Sequence, residues 1–144
     1  MLDKSKKTGD SNFSEQEIAR FDALADSWWD PEGKYKTALD FNRARLNVIK
    51  AQIENHFGQG NLPPDYSALS VIDIGSGGGL ISEPLAKLGA QVTGIDASAV
   101  SVEVARRHAQ NTGVKVDYQH KLSSEVVEEG RQYDVVINAE VVEH

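Results

Sequence analysis

Apolar residues recur along this chain with two different periods, and the change of period divides it. Ile18, Phe21, Ala25 and Trp28 stand three and four residues apart, the spacing of one face of an amphipathic helix. Ser14 and Glu17 form a capping-box pattern at its start, with Phe13 and Ile18 as the matching hydrophobic staple. Asp30-Pro31 and Gly33 stop it. A second stripe of Leu46, Ile49, Ile53 and Phe57 predicts a helix from about Asn42 to Phe57, ended by Gly58. The turn-rich stretch 58–68 reads as a linker. Beyond it the helical period gives way to short, nearly continuous apolar runs. Residues 69–74 (LSVIDI) predict a strand buried on both faces. Further strands are predicted at 91–96, 115–119 and 133–138, with helices at 80–88 and 98–112 between them. Val102, Ala105 and Ala109 face inward in the second of these helices. Pro84 should kink or shorten the first.

Alternating strands and helices imply βαβ units and a mainly parallel sheet with right-handed crossovers. The expected class is α/β, Rossmann-like, preceded by N-terminal helices. The expected organisation is a disordered tail at 1–12, a helical segment at 13–57, the linker, and a cofactor-binding half-domain at 69–144.

Composition narrows the chemistry. A net charge of −7 argues against a nucleic-acid groove, which wants a basic face. With no cysteine, disulfides, thiolate metal sites and cysteine nucleophiles are excluded. No apolar run reaches the ~20 residues needed to span a bilayer. The polar start lacks the apolar core of a secretory signal. A cytoplasmic location fits these features.

The chemistry concentrates where the first strand ends, at Asp73-Ile74-Gly75-Ser76-Gly77-Gly78-Gly79. Glycines directly after a buried strand let the backbone turn tightly and approach a ligand, and a helix start beyond them favours a negative ligand group. Asp96 closes the second strand, where an acid can accept hydrogen bonds from both hydroxyls of a ribose. The plainer reading is a tight turn and a cap for the next helix. A dinucleotide fingerprint would have a third glycine where Leu80 stands, which makes a nicotinamide-dependent oxidoreductase the second reading. The spacing is GxGxG after an acid, and it resembles motif I of class I S-adenosylmethionine-dependent methyltransferases.

The resemblance extends to Ile18-Ala19-Arg20-Phe21, Ser27-Trp28-Trp29-Asp30, Asn42 to Leu46, the GSGGGLISEPLAKLGA segment, VTGIDAS and YDVVINAEVVEH. Over 13–144 the chain is similar to the O-methyltransferases of ubiquinone biosynthesis. That resemblance implies methylation of a hydroxyl on a polyprenylated phenol or catechol. It implies S-adenosyl-L-methionine as cofactor, held at Arg45, Gly75, Gly77, Asp96 and Ala139. Arg43 stands where the family usually has proline. On the residues alone, Arg45 reads equally as an exposed base on a helix. Trp28 reads as core packing, and Trp29 as packing or as an aromatic lid.

Glu140, Glu143 and His144 share one face if their segment is helical, and two carboxylates with an imidazole can hold a divalent cation. Spacing alone leaves acids near a helix start with a surface histidine as an equal reading. The resemblance implies magnesium at all three, with Glu140 or His144 as a base for the acceptor hydroxyl. It also implies peripheral contact with the inner membrane or a quinone-biosynthesis complex. A methyltransferase sheet normally continues past a fourth strand, so a C-terminally truncated chain is expected, with a non-catalytic cofactor-binding fragment as a third reading.

Overall fold

The apolar run after the linker forms β1 (Ser70–Ile74), whose Val71, Ile72 and Asp73 are buried. The computed structural model describes residues 13–138. In chain order α1 (Glu15–Trp28) and α2 (Lys36–Phe57) precede β1, with a 3-10 turn at Tyr66–Ala68 between. Then follow α3 (Ser82–Lys87), β2 (Gln91–Asp96), α4 (Ala99–Thr112), β3 (Asp117–His120), α5 (Ser123–Glu129) and β4 (Val135–Ile137). The strands form one sheet in the order β3-β2-β1-β4, with every pair parallel. The chain therefore winds outward from β1 through β2 to β3, then returns to the far side of β1. In open α/β sheets the crevice at such a reversal, outside the carboxyl ends of the strands, receives the ligand.

The first helix keeps its predicted cap. Glu17 N–H bonds Ser14 Oγ at 3.1 Å, and Ser14 N–H bonds Glu17 Oε1 at 3.2 Å. Phe13 meets the Phe21 ring edge-on, with centroids 5.1 Å apart. Phe21 and Ala25 then bury against Val104 of α4. The second helix begins six residues earlier than its apolar stripe indicated. Its N-cap Tyr35 makes no side-chain cap bond, so no capping residue marks that start. Ile53 joins the main core with Leu46, Ile49 and Phe57 packed around it. Gly58 ends this helix in extended conformation (φ −70°).

Within the linker stretch, Tyr66 is buried and donates its hydroxyl to Glu54 Oε2 at 3.0 Å. Burial and then that carboxylate push its pKa up to about 12. Pro84 falls in the first turn of α3, where a missing N–H costs no helical bond. The helix is six residues long and begins two residues after the predicted Leu80. Helix α5 has no counterpart in the apolar pattern: none of its residues is buried, so it carries no apolar stripe. The segment 1–12, expected to be a disordered tail, lies outside the described residues.

Candidate functional site

Parallel register aligns the strand ends that carry the candidate residues. Ile74 pairs with Ile95, and Asp73 with Ile137. One step further sets Gly75 level with Asp96 on one side, and Ile74 level with Asn138 on the other. The sequence-distant glycine loop and acid thus meet at the reversal between β1 and its neighbours.

The loop turns by alternation: Gly75, Gly77 and Gly79 adopt φ of 75°, 55° and 89°, a region that side chains other than glycine enter at a cost. Its backbone is tied to β2. Gly75 and Ser76 N–H both donate to the Ile95 carbonyl at 2.9 Å. Gly77 N–H donates to Asp96 Oδ2 at 2.9 Å, and Ser98 N–H to Oδ1 at 2.8 Å. Asp96 is therefore fixed in orientation by two backbone donors, and its remaining lone pairs are available to a ligand. The cap of α4 is Ser98, whose Oγ accepts from Ser101 N–H at 3.2 Å. Ser76 Oγ is buried without a hydrogen-bond partner; such a group costs about 1–3 kcal/mol until something satisfies it. A small cavity here is lined by Gly75 to Gly78, Asp73, Leu80 and Asn42.

Arg45 stands one turn along α2 from Asn42. It lines a larger groove between α2 and β4, together with Asn138, and its guanidinium lies 5.2 Å from the Phe41 ring centroid. Of the expected site, Gly75, Gly77 and Asp96 are brought together, and Arg45 lies beside the neighbouring groove. Ala139, Glu140, Glu143 and His144 lie outside the described residues. Among the described residues no group of three or more His, Cys, Asp or Glu side chains could hold a metal.

Beneath the loop is a layer that sequence reasoning missed. Asp73 is buried and accepts from Ser82 Oγ at 2.6 Å. Glu83 is fully buried, taking Thr112 Oγ1 at 2.8 Å and lying 2.7 Å from His108 Nδ1. Tyr118 reaches from β3 under the loop. Burial raises its pKa, and the charges of Glu83 and Asp73 raise it further, so it stays a neutral phenol. Gly94 makes room for it: a Cβ there would sit 2.7 Å from the Tyr118 ring and 3.1 Å from Ser76 Cβ. The one available signal was a glycine inside a strand, which marks a close approach.

The tryptophans approach the loop from outside. A Cβ on Gly78 would meet the Trp28 ring at 2.7 Å, so Trp28 packs directly on the loop backbone. Trp29 Nε1–H donates to the Gly78 carbonyl at 3.1 Å, and its ring stacks on His108 at 3.9 Å. Both are packing residues of the loop's outer side.

A parallel sheet whose reversal point carries a glycine loop and a strand-end acid defines a Rossmann-like ligand-binding unit of the class I methyltransferase fold. A family model described as "Methyltransferase domain" matches residues 71–144. The chain belongs to that family. It is 46% identical over 136 residues to a ubiquinone biosynthesis O-methyltransferase of Ruegeria sp. (strain TM1040), covering 93% of this chain and 55% of that one. It is 48% identical over 132 residues to the protein of the same name from Paramagnetospirillum magneticum, covering 91% and 53%. The chain thus spans about half the length of the curated relatives it matches. Among solved structures, it resembles magnesium protoporphyrin IX methyltransferase from Synechocystis PCC 6803 with bound SAH. That match has a TM-score of 0.57 at 26% identity, covering 82% of this chain and 52% of that one.

Proposed function

We propose that this chain is the cofactor-binding part of an S-adenosylmethionine-dependent O-methyltransferase of ubiquinone biosynthesis, acting on a hydroxyl of a polyprenylated phenol or catechol. The observation that carries the reading is the joint made by Gly77 N–H and Asp96 Oδ2, which presents a preset carboxylate beside a glycine backbone. The extent of identity to relatives of that name supports the acceptor class. Two features favour S-adenosylmethionine over a dinucleotide. Leu80 occupies the third-glycine position, and α3 starts only at Ser82 and is short. The loop therefore offers little of the helix dipole that a pyrophosphate exploits.

When bound, S-adenosylmethionine supplies an electrophilic methyl group on a sulfonium centre. Asp96 accepts hydrogen bonds from the ribose hydroxyls, and Gly75 and Gly77 admit the ligand close to the backbone. Ser76 Oγ, orphaned and buried, gains a partner. Arg45, in the groove beside the loop, supplies a cation toward the ligand, and the likeness to the relatives supports Ala139 at the cofactor as well. Glu140 or His144 would take the proton of the acceptor hydroxyl, leaving its oxygen able to accept the methyl group that the bound cofactor would supply. Glu140, Glu143 and His144 together suit a magnesium ion by donor type. The protein works in the cytoplasm at the periphery of the inner membrane, where its prenylated acceptor resides. No helix among the described residues is long and apolar enough to cross a membrane.

Calorimetry with S-adenosylhomocysteine tests the reading. Micromolar binding is expected, with Asp96→Ala weakening it at least about tenfold, the worth of a hydrogen bond to a charged group. Undiminished affinity in that variant would exclude the assignment.

A further inference from the structure

The glycine loop is gripped from two sides, and only one grip belongs to the ligand-facing surface. Inside, Asp96 holds Gly77 N–H. Outside, Trp29 Nε1–H holds the carbonyl of the adjoining Gly78, with its ring flat against His108 at an interplanar angle of 6°. His108 is in turn anchored on the fully buried Glu83, which also receives Thr112. Trp28 covers the α-carbon of the same Gly78. Both indoles leave the C-terminal end of α1, which docks on α4 through Phe21 and Ala25 against Val104 and through the Asp22–Arg107 ion pair.

We propose that Trp29 is a positioning residue for the glycine loop, and that it couples docking of α1 on α4 to occupancy of the cofactor site. The proposal rests on the cofactor reading above. A loop that bends through three left-handed glycines has many alternative conformations; pinning one of its carbonyls to a stacked indole removes much of that freedom before a ligand arrives. Coupling of this kind is reciprocal. A ligand that selects the pinned loop must also strengthen the seating of α1, and loss of the indole N–H must weaken the ligand.

Two measurements on the full protein test it. Amide hydrogen exchange across residues 15–29 is expected to slow at least about threefold when S-adenosylhomocysteine is added to the wild-type protein. Trp29→Phe keeps an aromatic ring against His108 but removes the donor. Its dissociation constant for S-adenosylhomocysteine should rise about three- to tenfold, the effect of one hydrogen bond, while the ligand-free protein melts within a few degrees of wild type. Unchanged exchange across 15–29 on ligand addition overturns the coupling even if the variant does not fold. Equal affinity of Trp29→Phe and wild type overturns the clamp alone. Failure of the wild-type protein to bind S-adenosylhomocysteine at all removes the cofactor reading and this inference with it.

Discussion

At the residue scale, the loop's shape depends on positions that lack a side chain as much as on those that have one. Gly94 has ordinary strand conformation, so its need for glycine is steric rather than conformational. Gly94→Ala would push a methyl group into the Tyr118 ring on one side and Ser76 on the other. Overpacking of this kind costs about 1–3 kcal/mol, and here the strain passes directly into the glycine loop. The expected outcome is a lower denaturation midpoint together with weaker S-adenosylhomocysteine binding, checked by urea titration and calorimetry on the same variant. Full affinity in Gly94→Ala would show that the loop does not feel Tyr118. This layer was hardly legible beforehand. Tyr118, Glu83, His108 and Thr112 lie on three different elements, and no spacing in the chain announces that they converge.

Individual elements were legible to the extent that each buries one face. β2 occupies the predicted 91–96, and α4 fills the helix expected over 98–112, with Val102, Ala105 and Ala109 inward. Its cap is Ser98, where the plainer reading had Asp96. α5 buries nothing and left no trace in the pattern. Docking of α1 on α4 is also partly electrostatic, and that contribution depends on pH. Arg107 Nε and Nη2 donate to the two oxygens of Asp22 at 2.9 and 3.2 Å. The Arg107 hydrogen bonds, aided by Asn111 and opposed by burial, hold the Asp22 carboxyl below its usual value. A depressed folded-state pKa means that the pair stabilises above the unfolded value, and that the contribution is lost as pH falls through the folded one. Asp22→Asn should therefore cost about 0.5–1 kcal/mol near neutrality, the range for a partly exposed pair. The difference from wild type should shrink once pH drops below about 4. Thermal melts of both proteins from neutral to acid pH would check this, and a constant gap across the range would contradict it.

For the whole molecule, the sheet order sets where chemistry can happen. All four strands point the same way, so Gly75, Asp96 and Asn138 emerge at one end, and Ala139 to His144 continue from there in sequence. If Glu140, Glu143 and His144 hold magnesium, EDTA should abolish methyl transfer by the whole enzyme and added magnesium should restore it. Activity indifferent to EDTA would remove that role. Cofactor binding through Asp96 and the glycine loop should survive EDTA in either case, because those groups need no metal.

The parallel α/β character, the glycine loop and its partner acid were all written in the order of residues along the chain. These depend on local periods and on residue types whose conformational limits act wherever they occur. Tertiary structure decided the orientation of Asp96 between two backbone donors, the space cleared at Gly94 for Tyr118, and the grip of Trp29 on Gly78. Each of these joins residues far apart in the chain by distance and angle, quantities that a one-dimensional pattern does not carry.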